Sequence, residues 1–261
     1  MDTCRKKQIF KQINSVSVII DDALCIRSWD WSETSQTTVL FTKANGIVRG
    51  LAKGAKRDKG KFSGGFDVLS RGDIGFILKR ESELATLTEW DVRETFPKLR
   101  DNLQANRSGW YVADMIGRML PTADPHPGLY TTTLEHLRAL QNGEAHNLSL
   151  LRFQWSLLEE TGWRPELKDP DPQAKTLAFD PIEGRFTADS GIPTHWRIRR
   201  GTMLALESLA LNKEPSTDDE GLNRANRLLA SHLRNVLGEE PMTMAAVFGV
   251  LPTGFQKPNR A

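Results

Sequence analysis

Seven basic residues crowd one short stretch of the chain: Lys43, Arg49, Lys53, Lys56, Arg57, Lys59 and Lys61, opposed only by Asp58. The whole chain of 261 residues carries a formal net charge of +2, so the basic surplus is local and the rest of the molecule balances it. A cationic track of this kind suits a polyanion, because lysine and arginine displace the counterions condensed on phosphates without reading sequence. In an extended strand Arg49, Lys53 and Arg57 share one face at four-residue steps, roughly 13 Å apart. That spacing fits a linear run of phosphates better than a compact anion. The plainer reading is an edge strand guarded by lysines against aggregation. Aromatic residues supply the second ingredient of a single-strand site, since any base can stack on them. Trp29, Trp31, Phe41, Phe62 and Phe66 are the candidates; most of them suit the barrel core better, and Trp29 and Phe62 are the best placed for exposure. A second basic stripe, Arg224, Arg227 and Arg234, is either another contact to the polyanion or a solvated helix face.

Bond-breaking chemistry finds no comparable constellation. Asp169, Asp171, Asp180 and Asp189 lie among prolines without a histidine at ligand spacing. Asp218, Asp219 and Glu220 are consecutive, so they point in different directions, and a helix N-terminus accounts for them. His126, His136, His146, His195 and His232 are scattered singly. Cys4 and Cys25 are placed in a tail and a strand, and two cysteines make neither a disulfide framework nor a metal quartet. No Gly-rich phosphate loop ending in Gly-Lys-Ser/Thr occurs. The reading is of a protein that is not an enzyme and needs no cofactor or metal.

The elements that must position these residues fall into two groups. A composition 39% hydrophobic and 26% charged is that of a globular chain, and the apolar run Val16–Ile20 is far too short for a bilayer. Residues 1–15 read as a loose basic extension without a signal peptide, which makes the cytoplasm the default location. From Ala23 to Glu89 strand signals dominate. Thr37–Thr42 is β-branched and aromatic, Asn45-Gly46 supplies a tight turn, and Ile47–Arg57 returns as a strand with Val48, Gly50, Ala52 and Gly54 on its small face. Further short strands are expected at Phe66–Leu69, Ile74–Leu78 and Leu84–Glu89. Five or so short strands beside a basic face predict a small oligonucleotide-binding (OB) barrel over residues 16–97. From Lys98 the period becomes helical: Leu99–Leu120, Leu129–Leu140, Leu148–Thr161, Met203–Leu211 and Leu222–Leu237 are the expected helices of a domain spanning 98–261. Residues 164–197, rich in Pro, Asp and Gly, form an ordered loop or small subdomain within it.

Arg27–Ser35 (Arg-Ser-Trp-Asp-Trp-Ser-Glu-Thr-Ser), Phe41-Thr42, Gly46, Val48-Arg49 and Ala52–Lys56 resemble, in order and spacing, the first three strands of the RecO family of bacterial DNA repair proteins. Leu151–Phe153, Leu157-Leu158 and Gly162-Trp163 resemble its central helix and the pair after it, and Asn223–Arg227 with Gly238 its last long helix. The resemblance implies an α+β chain: a five-stranded OB barrel, then a helical domain. It also implies binding of single- and double-stranded DNA, strand annealing, and loading of the RecA recombinase with RecR on DNA coated by the single-strand-binding protein SSB, whose acidic tail docks on the helical part. A nucleoid-associated location goes with that role. Many members hold zinc on four cysteines after the central helix; 164–197 contains no cysteine, so it resembles that region without its metal. The alternatives are a generic single-strand nucleic-acid-binding barrel, or a protein-binding scaffold with no annealing activity.

Overall fold

The computed structural model describes residues 17–57, 60–78 and 84–251. Five strands close into a barrel: β1 (Ile19–Asp30), β2 (Gln36–Thr42), β3 (Gly46–Ala52), β4 (Arg71–Ile77) and β5 (Ala85–Glu94), in the order β1-β2-β3-β5-β4. All pairings are antiparallel except the short β3–β5 seam, which is parallel and closes the cylinder. The interior is filled by Ala23, Cys25, Leu40, Val48, Phe62, Phe66, Ile74, Phe76, Leu87 and Trp90, among others. Alternation along β3 obeys the expected pattern: Val48, Gly50 and Ala52 face inward, where a Cβ on Gly50 would meet the Leu87 side chain at 2.4 Å. Gly46 turns the β2–β3 hairpin at φ +67°, and its missing Cβ leaves room for the Asp124 backbone.

The outer surface of β1–β3 is only partly free. Leu24 and Ile26 of β1, Val39 and Phe41 of β2, and Ile47 of β3 belong to the core of the helical region, so one half of the barrel wall is an interior wall. That region holds α1 (Lys98–Asp101), α2 (Leu103–Met119), α3 (Pro127–Asn142), α4 (Asn147–Glu160), α5 (Arg200–Ala210), α6 (Asp219–Leu237) and α7 (Met242–Phe248). The expected helix Leu99–Leu120 is two helices, because Asn102 is extended and its side chain caps α2 by accepting from the Gln104 and Ala105 amides. Phe66–Leu69 is a turn and not a strand, with Leu69 at φ +66°.

Residues 164–197 contain a sheet, ordered β7-β6-β8, of β6 (Thr176–Asp180), β7 (Arg185–Ala188) and β8 (Trp196–Arg199). Leu177, Phe179, Phe186 and Trp196 anchor it on the helical core. Its donor set does not fit zinc: there is no thiol, and Asp169 and Asp189 are engaged by arginines. Arg200 forks onto Asp169 and also donates to the backbone carbonyls of Ala174 and Asp171, while Asp189 pairs with Arg197. The guanidinium bond holds the Asp169 carboxyl below its ordinary range. An arginine therefore ties together the loop before β6. No helix among the described residues is long and apolar enough to cross a membrane.

The helical core carries two buried polar relays. Tyr111 donates to Gln154, Gln154 to Asn226, and Asn226 to the Asn147 carbonyl, linking α2, α4 and α6. His136 sits between Ser108 and Ser149, 2.9 Å from each. Since the Ser149 hydroxyl donates to the His146 carbonyl, it accepts from His136 Nδ1–H, and Nε2 accepts from Ser108. Burial, then the nearby His146, pushes the His136 pKa down to about 3 and keeps the ring neutral.

Candidate nucleic-acid interface

A bulge decides which residues of β1 reach solvent. Before it Ala23 and Cys25 fill the barrel; the register then shifts between Cys25 and Arg27, and the odd-numbered residues turn outward. Arg27 pairs with Val39 and Val39 with Arg49; in the next outward row Trp29 pairs with Thr37 and Thr37 with Leu51. Two strand spacings put Arg27 and Arg49 about 10 Å apart across the sheet. Trp29 is 48% exposed and Trp31, just past the strand, 68% exposed. With Leu84 and Gly117 of α2 these residues enclose a crevice of about 340 Å³. A second hollow of about 300 Å³ adjoins it, lined by Trp31, Leu51, Lys53 and Arg57 among others.

The basic stretch is not one long strand. β3 ends at Ala52, and Lys53–Lys56 form a turn with Gly54 at φ +73°. Its cause is distant in sequence: Gly54 N–H donates to Ser35 Oγ and Lys56 N–H to the Thr34 carbonyl, so this turn is latched to the turn at Ser32–Ser35. Lys53 and Arg57 thus do not continue the face of Arg49 as a ladder; they gather at one end of the sheet. Lys43 stands at the other end, in the β2–β3 hairpin, about 20 Å away along seven residues of strand. Lys43, Arg49, Lys53, Arg57 and Lys61 are exposed, and none meets an acid among the described residues. Lys56 is paired with Asp30, and Arg27 reaches Asp114 of α2 at 2.8 Å. Lys59 lies outside the described residues.

The aromatic assignments are exchanged. Phe62 is 6% exposed and packs on Phe66, which stacks on Trp90 at 5.0 Å, so it belongs to the barrel core and offers no platform. Trp31, ranked behind Trp29 and Phe62 from sequence, is the most exposed aromatic of the site. The period of β1 carried the missing signal: once a bulge flips Arg27 and Trp29 outward, Trp31 follows them.

The arginines of α6 do not form a free stripe. Arg224 pairs with Glu220, Arg227 donates to the carbonyls of Phe248 and Val250, and Arg234, 7% exposed, pairs with Glu240 at 2.9 Å. Beside them, Arg197 and Arg199 rim a groove of about 260 Å³ with Ile198 and Leu228 on its floor. Cys25 is buried, and burial pushes its thiol up to about 12, leaving no thiolate. No cluster of three or more His, Cys, Asp or Glu residues able to hold a metal ion occurs among the described residues.

Comparison with known proteins agrees with this architecture. The family model described as recombination protein O N terminal matches residues 16–96, and that described as recombination protein O C terminal matches residues 100–169. Similar proteins include the DNA repair protein RecO of Rhodopirellula baltica, 31% identical over 202 residues, covering 74% of each chain. That of Idiomarina loihiensis is 29% identical over 87% of this chain and 96% of the relative. That of Burkholderia pseudomallei is 32% identical over 71% of this chain and 68% of the relative.

Proposed function

This chain belongs to the RecO family of DNA repair proteins, and from that premise we propose that it binds single- and double-stranded DNA and anneals complementary strands. With RecR it helps load RecA onto SSB-coated DNA in the nucleoid. The observation that carries the reading is the set of exposed cations around β3 and the turn after it that meet no acid among the described residues, next to two exposed tryptophans. Neutralising phosphates on both strands lowers their mutual repulsion, so bases pair without a bond being broken or a sequence being read. No cofactor is assigned to this work. The arginine-rimmed groove over Ile198 and Leu228 has the chemistry to receive the acidic, apolar tail of SSB.

One assay separates this reading from a protein-only scaffold and from a metal nuclease: gel shift and annealing, with and without magnesium. The expected outcome is sequence-independent binding at low salt, faster annealing without metal, and intact strands throughout. Binding without annealing reduces the protein to a generic strand-binding barrel. Absence of any low-salt binding overturns the proposal.

A further inference from the structure

We propose that the crevice beside Trp29 is a nucleobase pocket that accepts only unpaired bases, with Trp31 as its stacking residue. This deepens the DNA-binding reading above and rests on it. Trp31 has no packing duty in the barrel: it is 68% exposed and absent from the barrel core. It lines both the crevice and the adjoining basic hollow, and so stands where a strand passing from one to the other must go. Large apolar faces left in solvent mark contact surfaces, and here two indoles lie beside two guanidinium groups. The walls restrict what enters. Leu84 closes one side, and Gly117 of α2 the other, where an added Cβ would lie 3.5 Å from Arg27 Nε.

A paired base has its faces covered by its neighbours in the stack; only an unpaired, unstacked base can offer a face to Trp31. The volume, about 340 Å³, is at the small end for ligand pockets, roughly 300 Å³ upward. Arg49, which meets no acid among the described residues, and Arg27, held in place by Asp114, both line it. Lys53 and Arg57 then continue the backbone track past Trp31. The crevice therefore captures a strand and withholds the captured base from pairing, while bases along the basic turn stay available to a second strand.

The test compares an oligothymidylate with an abasic oligonucleotide of equal length and charge, binding full-length protein, read by fluorescence anisotropy. Wild type should bind the thymidylate about 5- to 160-fold tighter than the abasic strand, the range of one stacked base. Trp31→Ala should bring the two together and leave duplex affinity unchanged, and Trp31→Phe should keep part of the preference. Trp31→Ala lowering both ligands equally, or neither, overturns the pocket. Equal, salt-dependent binding of both ligands by wild type removes the pocket and leaves the polyanion site standing; binding of neither removes both. The residue is exposed, so both variants keep the fold, and a thermal melt checks it.

Discussion

The arginines of α6 and the cations around β3 have similar charge and opposite fates. On α6, Glu220 and Glu240 answer Arg224 and Arg234, and the carbonyls of Phe248 and Val250, at and beyond the end of α7, answer Arg227. Around β3, Arg49, Lys53, Arg57 and Lys61 meet no acid among the described residues. The helical half also pairs polar groups inside its core, as in the Ser108–His136–Ser149 relay. Within the barrel the contrast is local: Arg71 and Arg93 are paired with Asp22, Glu94 and Asp73, while the cations beside β3 face solvent. Basic residues become a binding surface where folding leaves them unanswered, and density of charge alone does not decide which ones those are.

Acid destabilises the fold through His136, and this is the largest effect expected. His136 is neutral in the fold with a pKa near 3, while the unfolded chain titrates near the ordinary 6.5. Between those values the unfolded state binds the extra proton, so stability rises with pH from about 3 to 6.5 and is complete above 6.5. Urea unfolding across that window should show the slope, and His136→Gln should flatten it. Next in size is Arg227→Ala, which strips two charged hydrogen bonds from the chain end. A loss of about 2–4 kcal/mol is expected by denaturation, with the salt slope of DNA binding unchanged; a changed slope would return α6 to the DNA site. Lys53→Glu with Arg57→Glu should do the reverse. Stability stays within about 0.5 kcal/mol, while affinity for every sequence falls and the salt slope for single strands shrinks by about 1.4. Lys43→Ala, at the far end of β3, should change that slope by at most about 0.7; a larger change would extend the site along the whole strand.

Much of this was readable in the residues. The inward set Val48, Gly50 and Ala52, the turn glycine Gly46 and the closing glycines Gly143 of α3 and Gly238 of α6 are local signals, and each lies where its chemistry predicts. What escaped depends on partners distant in sequence. The end of β3 is set by Ser35 and Thr34 across the hairpin, and the outward turn of Trp31 follows the register shift between Cys25 and Arg27. Phe62 looked as exposed as any aromatic in a Lys/Gly-rich loop until Phe66 and Trp90 enclosed it. α7, at seven residues, is too short to announce itself by periodicity, and the strands β6–β8 are four or five residues each.

The Arg200 fork on Asp169 holds the region before β6 by an ion pair, in a stretch without a cysteine. Chelators and oxidants that would open a cysteine–zinc knuckle find no such ligand set there. Its vulnerabilities are those of an ion pair: concentrated salt, and acid strong enough to protonate a carboxyl already held below its usual range.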